Sequence, residues 1–101
     1  MPNEKMRVLL VSYNLSYLSG KNYKELFDAL KSGSGWWHYL DSTWLVATTK
    51  APKELAEQIR PLFDLEKDTF LVIEVEPSYS GWLPRKAWEW MKSSFQAIQK
   101  G

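Results

Sequence analysis

Apolar and polar positions along this chain switch between a two-residue and a three-to-four-residue period, and the switches mark its elements. Arg7 to Tyr13 (RVLLVSY) is a short, nearly continuous apolar and β-branched run, which predicts a strand buried on both faces and central in its sheet. Asn14 to Lys21 is a loop by composition. Tyr23, Leu26, Phe27 and Leu30 then recur at helical spacing. They predict a first helix capped by Asn22, with Glu25 placed to reach back to the cap N–H. Ser32-Gly33-Ser34-Gly35 ends it. Trp36 to Leu40 and Thr43 to Thr49 are strand-like in their aromatic and β-branched content. Asp41-Ser42 between them reads as a turn or a bulge, and a hairpin is favoured over one long bulged strand. Pro52 suits the first turn of a second helix carrying Leu55, Ile59, Leu62 and Phe63, with Pro61 kinking or tightening its end. Asp64 to Asp68 is a charged loop. Thr69 to Glu76 (TFLVIEVE) is a fourth strand, again apolar enough to be central. Beyond a break at Pro77 to Gly81, a last helix opened by Pro84 sets Trp88, Met91, Phe95 and Ile98 on one stripe, with Lys86, Glu89 and Lys92 outside.

The order of these elements defines the expected fold. It is an α+β chain, a ferredoxin-like βαββαβ sandwich with an extra C-terminal helix, in which two right-handed crossovers flank a central hairpin. Both main helices fall on one face of the sheet. The other face needs a cover, supplied by the terminal helix or by a second subunit. At 101 residues the chain makes a single domain, residues 1–101, with one core.

Composition narrows the function classes more than it selects among them. Thirteen basic and twelve acidic side chains leave a net charge of +1, without the basic stripe that marks a dedicated DNA binder. The absence of cysteine excludes a disulfide framework, thiol chemistry and Cys-ligated zinc. A single histidine excludes a His-rich metal site. No apolar run is long enough to span a bilayer and the N-terminus lacks a signal-peptide core, so a cytoplasmic protein without membrane partners is expected.

The first strand closes on Ser12-Tyr13-Asn14, the Ser16 to Asn22 loop follows, and Trp36 to Val46 reads WWHYLDSTWLV. In these features nearly the whole chain resembles the small bacterial proteins of the SinR family. Gly81-Trp82 and the following helix agree more loosely. Those proteins are in turn distantly similar to the CRISPR-associated ferredoxin-fold endoribonucleases and the VapD-like toxins. The nearest counterpart of the relatives' Gln-x-Ser-Val-Tyr-like motif is Asp41-Ser42-Thr43-Trp44. The resemblance implies a homodimer and a metal-binding aspartate at the end of the first strand, with Mg or Mn as the ion. Asn14 stands at that position. Its amide brings no charge to hold a divalent cation or activate water, so what is implied is a protein that requires no cofactor and whose catalysis is weakened or absent.

The candidate chemistry gathers around the same hairpin. Histidine is the side-chain type whose unperturbed pKa lies near neutrality, and His38 reads as a general acid or base or a hydrogen-bond donor to a phosphate, or else as a packed ring satisfied by backbone; Asp41 is its candidate catalytic companion. On a regular strand His38 shares a face with Trp36 and Leu40, while Trp37, Tyr39 and Asp41 share the other. Asp41, Ser42 and Thr43, gathered with Asn14 and Ser12 at one end of the sheet, form a candidate ligand-binding cluster for a nucleotide or a metal, although Asx and Ser turns place such residues at hairpins for backbone reasons alone. Trp36, Trp37, Tyr39, Trp44, Trp82, Trp88 and Trp90 are candidates for a stacking platform for bases or, as the favoured alternative for most of them, for filling a core or a dimer interface. Trp37 and Tyr39 are the ones expected to be exposed, and Trp88 belongs to a helical stripe and to the core. Glu74 and Glu76 alternate with Val75 and project to one face, as a carboxylate pair or a solvated strand end. Gly20-Lys21 lacks the frame of a phosphate loop. The expected function is binding of RNA, DNA or a nucleotide by a small homodimer with little or no nuclease activity. The alternatives are a non-enzymatic protein-interaction module and a small-molecule sensor.

Overall fold

The computed structural model describes residues 5–16 and 23–100, with side chains placed as far as residue 97. It is an α+β structure built on one four-stranded antiparallel sheet in the order β2-β3-β1-β4. The strands are β1 (Arg7–Asn14), β2 (Gly35–Leu40), β3 (Thr43–Thr48) and β4 (Thr69–Glu74), and the helices α1 (Lys24–Lys31), α2 (Pro52–Ile59) and α3 (Arg85–Lys100). Among the described residues no helix is long and apolar enough to cross a membrane.

β1 holds the centre, paired with β3 from Arg7–Thr48 to Ser12–Thr43 and with β4 from Leu9–Glu74 to Asn14–Thr69. Side chains alternate across a strand, so odd positions of β1 serve one layer and even positions the other. Leu9, Val11 and Tyr13 join Trp44 and Val46 of β3 under α1 and α2, where Leu26, Leu30, Leu55, Ile59 and Phe63 complete the main core. Val8, with Leu45 and Trp37, lies under Ala87, Met91 and Phe95 of α3 in a second core. Each fully buried Leu or Ile contributes about 1.5–3 kcal/mol, and the main core holds four of them, Leu9, Leu26, Leu30 and Ile59.

Local chemistry sets the helix ends. In α1, Lys24 Nζ meets Asp28 Oδ2 at 2.9 Å one turn on, and that hydrogen bond with the carboxylate charge raises the lysine pKa above its ordinary value. The Asn22 cap lies outside the described residues, and Tyr23 occupies the position before the first helical turn. Pro52 opens α2, where the Ala51 N–H donates to Glu54 Oε1 at 3.1 Å. Pro61 does tighten the end of this helix, into a 3₁₀ turn over Arg60–Leu62.

Three expectations are corrected. β4 is an edge strand, not a central one, and ends at Glu74; Leu71 and Ile73 stand exposed on the face that α3 shares. α3 lies over β1 and β2 and leaves that side of the sheet bare. Asp68, at the end of the segment read as a charged loop, is buried. Its Oδ1 accepts from Ser16 N at 2.7 Å and its Oδ2 from the Tyr23 hydroxyl at 2.7 Å and Asp64 N at 2.8 Å. Finally, the α3 stripe runs through Ala87, Met91 and Phe95, with Trp88 only half-buried. The side chain of Ile98, expected on that stripe, lies outside the described residues.

Candidate nucleic-acid interface

β2 carries the densest aromatic segment and lies at a sheet edge, which keeps its side chains near solvent. It is also bulged. Trp37 pairs with Leu45 and Leu40 with Thr43, so His38 and Tyr39 together oppose the single residue Trp44. A bulge adds one residue to one strand and re-aims the side chains beyond it. Leu40 consequently joins Trp37 on the α3 side, lining a cavity there with Leu10 and Leu45, rather than the His38 side expected of a regular strand.

The two adjacent tryptophans part company across the strand. Trp36 is 42% exposed and leans on Trp44, with centroids 5.4 Å apart. Trp37 is 3% exposed, which corrects the expectation that it would be open to solvent. α3 covers it, and its indole N–H is buried without a hydrogen-bond partner among the described residues. Tyr39, expected to be exposed, is 42% exposed and lies against Trp37 at 5.2 Å. Trp36, Tyr39 and Trp90, with Lys86 of α3, surround an open cleft of about 360 Å³ that His38 and Trp37 also line. The Lys31 ammonium sits over the Trp36 ring, 5.0 Å from its centroid, within cation–π range. The sequence offers Trp36 and Trp90 only within a set of seven candidate aromatics, and does not single out the two lysines. The signal available is lysine beside an aromatic edge, but it spans three elements.

His38 is held by structure at both ends of its ring. It stacks on Trp44 at 4.0 Å and 13°, and its Nε2 lies 2.9 Å from the Asp41 backbone carbonyl. A carbonyl only accepts, so Nε2 carries the proton and donates. The partner is the Asp41 main chain and not its carboxylate, which stands exposed on the turn. His38 and Asp41 are therefore neighbours without forming an acid–base pair.

The polar cluster does assemble at one end of the sheet. Ser12 Oγ lies 3.2 Å from Thr43 Oγ1, and the Tyr13 N–H donates to the Ser42 carbonyl at 3.0 Å, which ties the hairpin turn to the end of β1. Asn14 is exposed one residue beyond, beside an open cleft of about 340 Å³ shared with Ser12, Thr69 and Leu71. The donors brought together here are hydroxyls and one amide, while Asp41, the carboxylate of the expected cluster, stands exposed on the turn. Mg²⁺ and Mn²⁺ call for hard, mostly charged oxygen ligands, and among the described residues no three His, Cys, Asp or Glu side chains come together to hold a metal ion. This donor set does not fit a divalent cation.

No family model, no curated protein and no solved structure matches the chain.

Proposed function

We propose that this chain is a ferredoxin-like homodimer that binds single-stranded nucleic acid on the aromatic edge of β2, without a metal and with nuclease chemistry weakened or absent. The observation that carries the reading is the β2 cleft, where two half-exposed rings, Trp36 and Tyr39, stand beside Trp90 and Lys86, with the Lys31 ammonium over the Trp36 ring. Bases offer a π-face to such rings whatever their sequence, and lysines track the adjoining phosphates. An edge strand leaves room for an extended strand to pass.

The strand order supports the ferredoxin-like part. Read from the other edge it is β4-β1-β3-β2, with α1 and α2 over the same face, the arrangement of two split βαβ units around a hairpin. The similarity of WWHYLDSTWLV to the SinR family, and through it to the CRISPR-associated and VapD-like nucleases, agrees with a nucleic-acid ligand. Asn14 in place of an aspartate, the neutral donors around it and the structural role of His38 favour binding over cleavage. The bare side of the sheet at Leu71 and Ile73 favours a second subunit.

The test is fluorescence anisotropy of labelled oligo(dT) and oligo(U), with a duplex for comparison, in chelator. Binding of the single strands should exceed that of the duplex. Trp36→Ala should weaken it about tenfold, since stacking of a base on a ring is worth about 1–3 kcal/mol. Two lysines at the phosphates set a salt dependence with a slope of only about −1.4. Equal affinity for the duplex, or no binding at low salt, sinks the reading.

A further inference from the structure

Between β4 and α3 the chain runs as a strap, and at its far end Trp82 is 98% exposed. The strap is pinned on either side of that residue. Tyr79 stacks on Trp88 and Phe95 of α3, with centroids 5.8 and 5.7 Å away, and the Trp88 indole N–H donates to the Leu83 carbonyl at 3.0 Å. The backbone around Trp82 is thus anchored while its indole is offered whole to solvent. Beside it, the inner side of the strap and α3 enclose an apolar cavity of about 270 Å³ over the sheet, floored by Leu10, Leu45 and Trp37 and walled by Leu83, Met91 and Phe95. Trp82 does not line this cavity.

A protruding ring and a hollow on one surface make that surface self-complementary, which is what a two-fold interface requires. We propose that two copies of this chain associate through this face, each inserting Trp82 into the other's cavity. This rests on the homodimer reading above and names its interface. Charge agrees with the placement. Glu76 stands at the cavity's edge and Arg85, exposed, follows Trp82 by three residues, so the entering Trp82 brings Arg85 of the second copy toward Glu76. Size agrees as well. A swallowed tryptophan covers up to about 250 Å², roughly a third of the ~800 Å² that a standard interface takes from each partner. Leu71, Ile73 and Leu40, exposed on the same face of the sheet, supply apolar area around it.

Sedimentation velocity over a concentration series tests the arrangement, with circular dichroism to show that each variant folds. Wild type should dimerise. Trp82→Ala, at a residue without buried contacts, should keep its fold and dimerise at least about 30-fold more weakly, the scale of losing a central aromatic anchor. Glu76→Arg should also weaken the dimer, and adding Arg85→Glu to it should restore affinity. A dimer unchanged by Trp82→Ala, or a double variant no tighter than Glu76→Arg alone, overturns this interface while leaving the homodimer reading in place. A wild-type chain that stays monomeric at every concentration overturns both.

Discussion

The imidazole of His38 lies flat on the Trp44 indole, centroids 4.0 Å apart, while its Nε2 donates to the carbonyl of Asp41 across the hairpin turn. The pair joins an edge strand to the main core, because Trp44 is almost wholly buried and its own Nε1 donates to the Tyr13 hydroxyl at 2.8 Å. An aromatic contact of this kind is worth about 0.5–1.5 kcal/mol beyond burial, and one hydrogen bond about as much. His38→Ala should therefore cost about 1–2 kcal/mol in urea denaturation. His38→Gln, with an amide N–H in place of the ring N–H, should recover part of it. Loss of nucleic-acid binding with unchanged stability in His38→Ala would instead make the ring a ligand contact.

The carboxylate of Asp68 organises the opposite edge of the sheet at this same end, where Asn14 pairs with Thr69 as Ser12 does with Thr43, drawing together the residues after β1, the start of α1 and the turn that precedes β4. Among the described residues, two backbone N–H groups and the Tyr23 hydroxyl converge on it. Hydrogen bonds to a charged group are worth about 1.5–3 kcal/mol each, and donors left buried without an acceptor add a penalty. Asp68→Ala should cost about 3 kcal/mol or more, toward the upper end of what a single substitution does, whereas Tyr23→Phe, removing one donor, should cost about 1–2 kcal/mol. Thermal unfolding of the two variants side by side checks the ranking.

At Gly33 a side chain has nowhere to go. A Cβ built there would lie 2.9 Å from the Ala47 carbonyl oxygen and 3.4 Å from Val46 Cγ1, and that carbonyl already accepts from the Ser34 N–H at 2.9 Å. The obstacle is main chain of an interior strand, which does not yield as a flexible side chain does. Gly33→Ala should destabilise by about 1–3 kcal/mol, read as a lowered urea midpoint. An unchanged midpoint would mean that the α1–β2 connection shifts freely.

How far the sequence shows these features depends on how local their causes are. The helix stripe Leu26 and Leu30, the Pro52 start, the Pro61 tightening and the Asp41-Ser42 turn each depend on neighbours within a few residues, and each is seen. β4 is different. Its run Phe70-Leu71-Val72-Ile73 is as apolar as that of β1, and only the strand order decides that one lies in the middle and the other at an edge. Likewise, the bulge at His38 and Tyr39 has no glycine or proline to announce it, and so the face of Leu40 is misread by parity. Asp68 looks like any loop carboxylate until distant donors from Ser16 and Tyr23 arrive. The polar cluster of Ser12, Thr43, Ser42 and Asn14 is legible because strand ends and turns carry it. The lysines at the aromatic edge come from separate elements, which no linear pattern joins.

Trp36 and Trp37 are identical residues in adjacent positions, and they should fail differently. Trp37 is sealed under α3 with Leu45, Met91 and Phe95, so Trp37→Ala should cost about 3–5 kcal/mol. Its indole N–H is buried without an acceptor among the described residues, a burden of about 1–3 kcal/mol by itself. Trp37→Phe removes that N–H along with some packing area, and the two effects oppose; its cost should be small, under about 1.5 kcal/mol. Trp36, nearly half open to solvent, should lose about 1 kcal/mol or less in stability as Trp36→Ala, a surface-type change, yet lose about tenfold in oligonucleotide affinity. Denaturation and anisotropy measured on the same three variants separate the roles. If Trp36→Ala proves as destabilising as Trp37→Ala, the aromatic edge is core rather than binding surface, and the β2 cleft should be set aside as a nucleic-acid site.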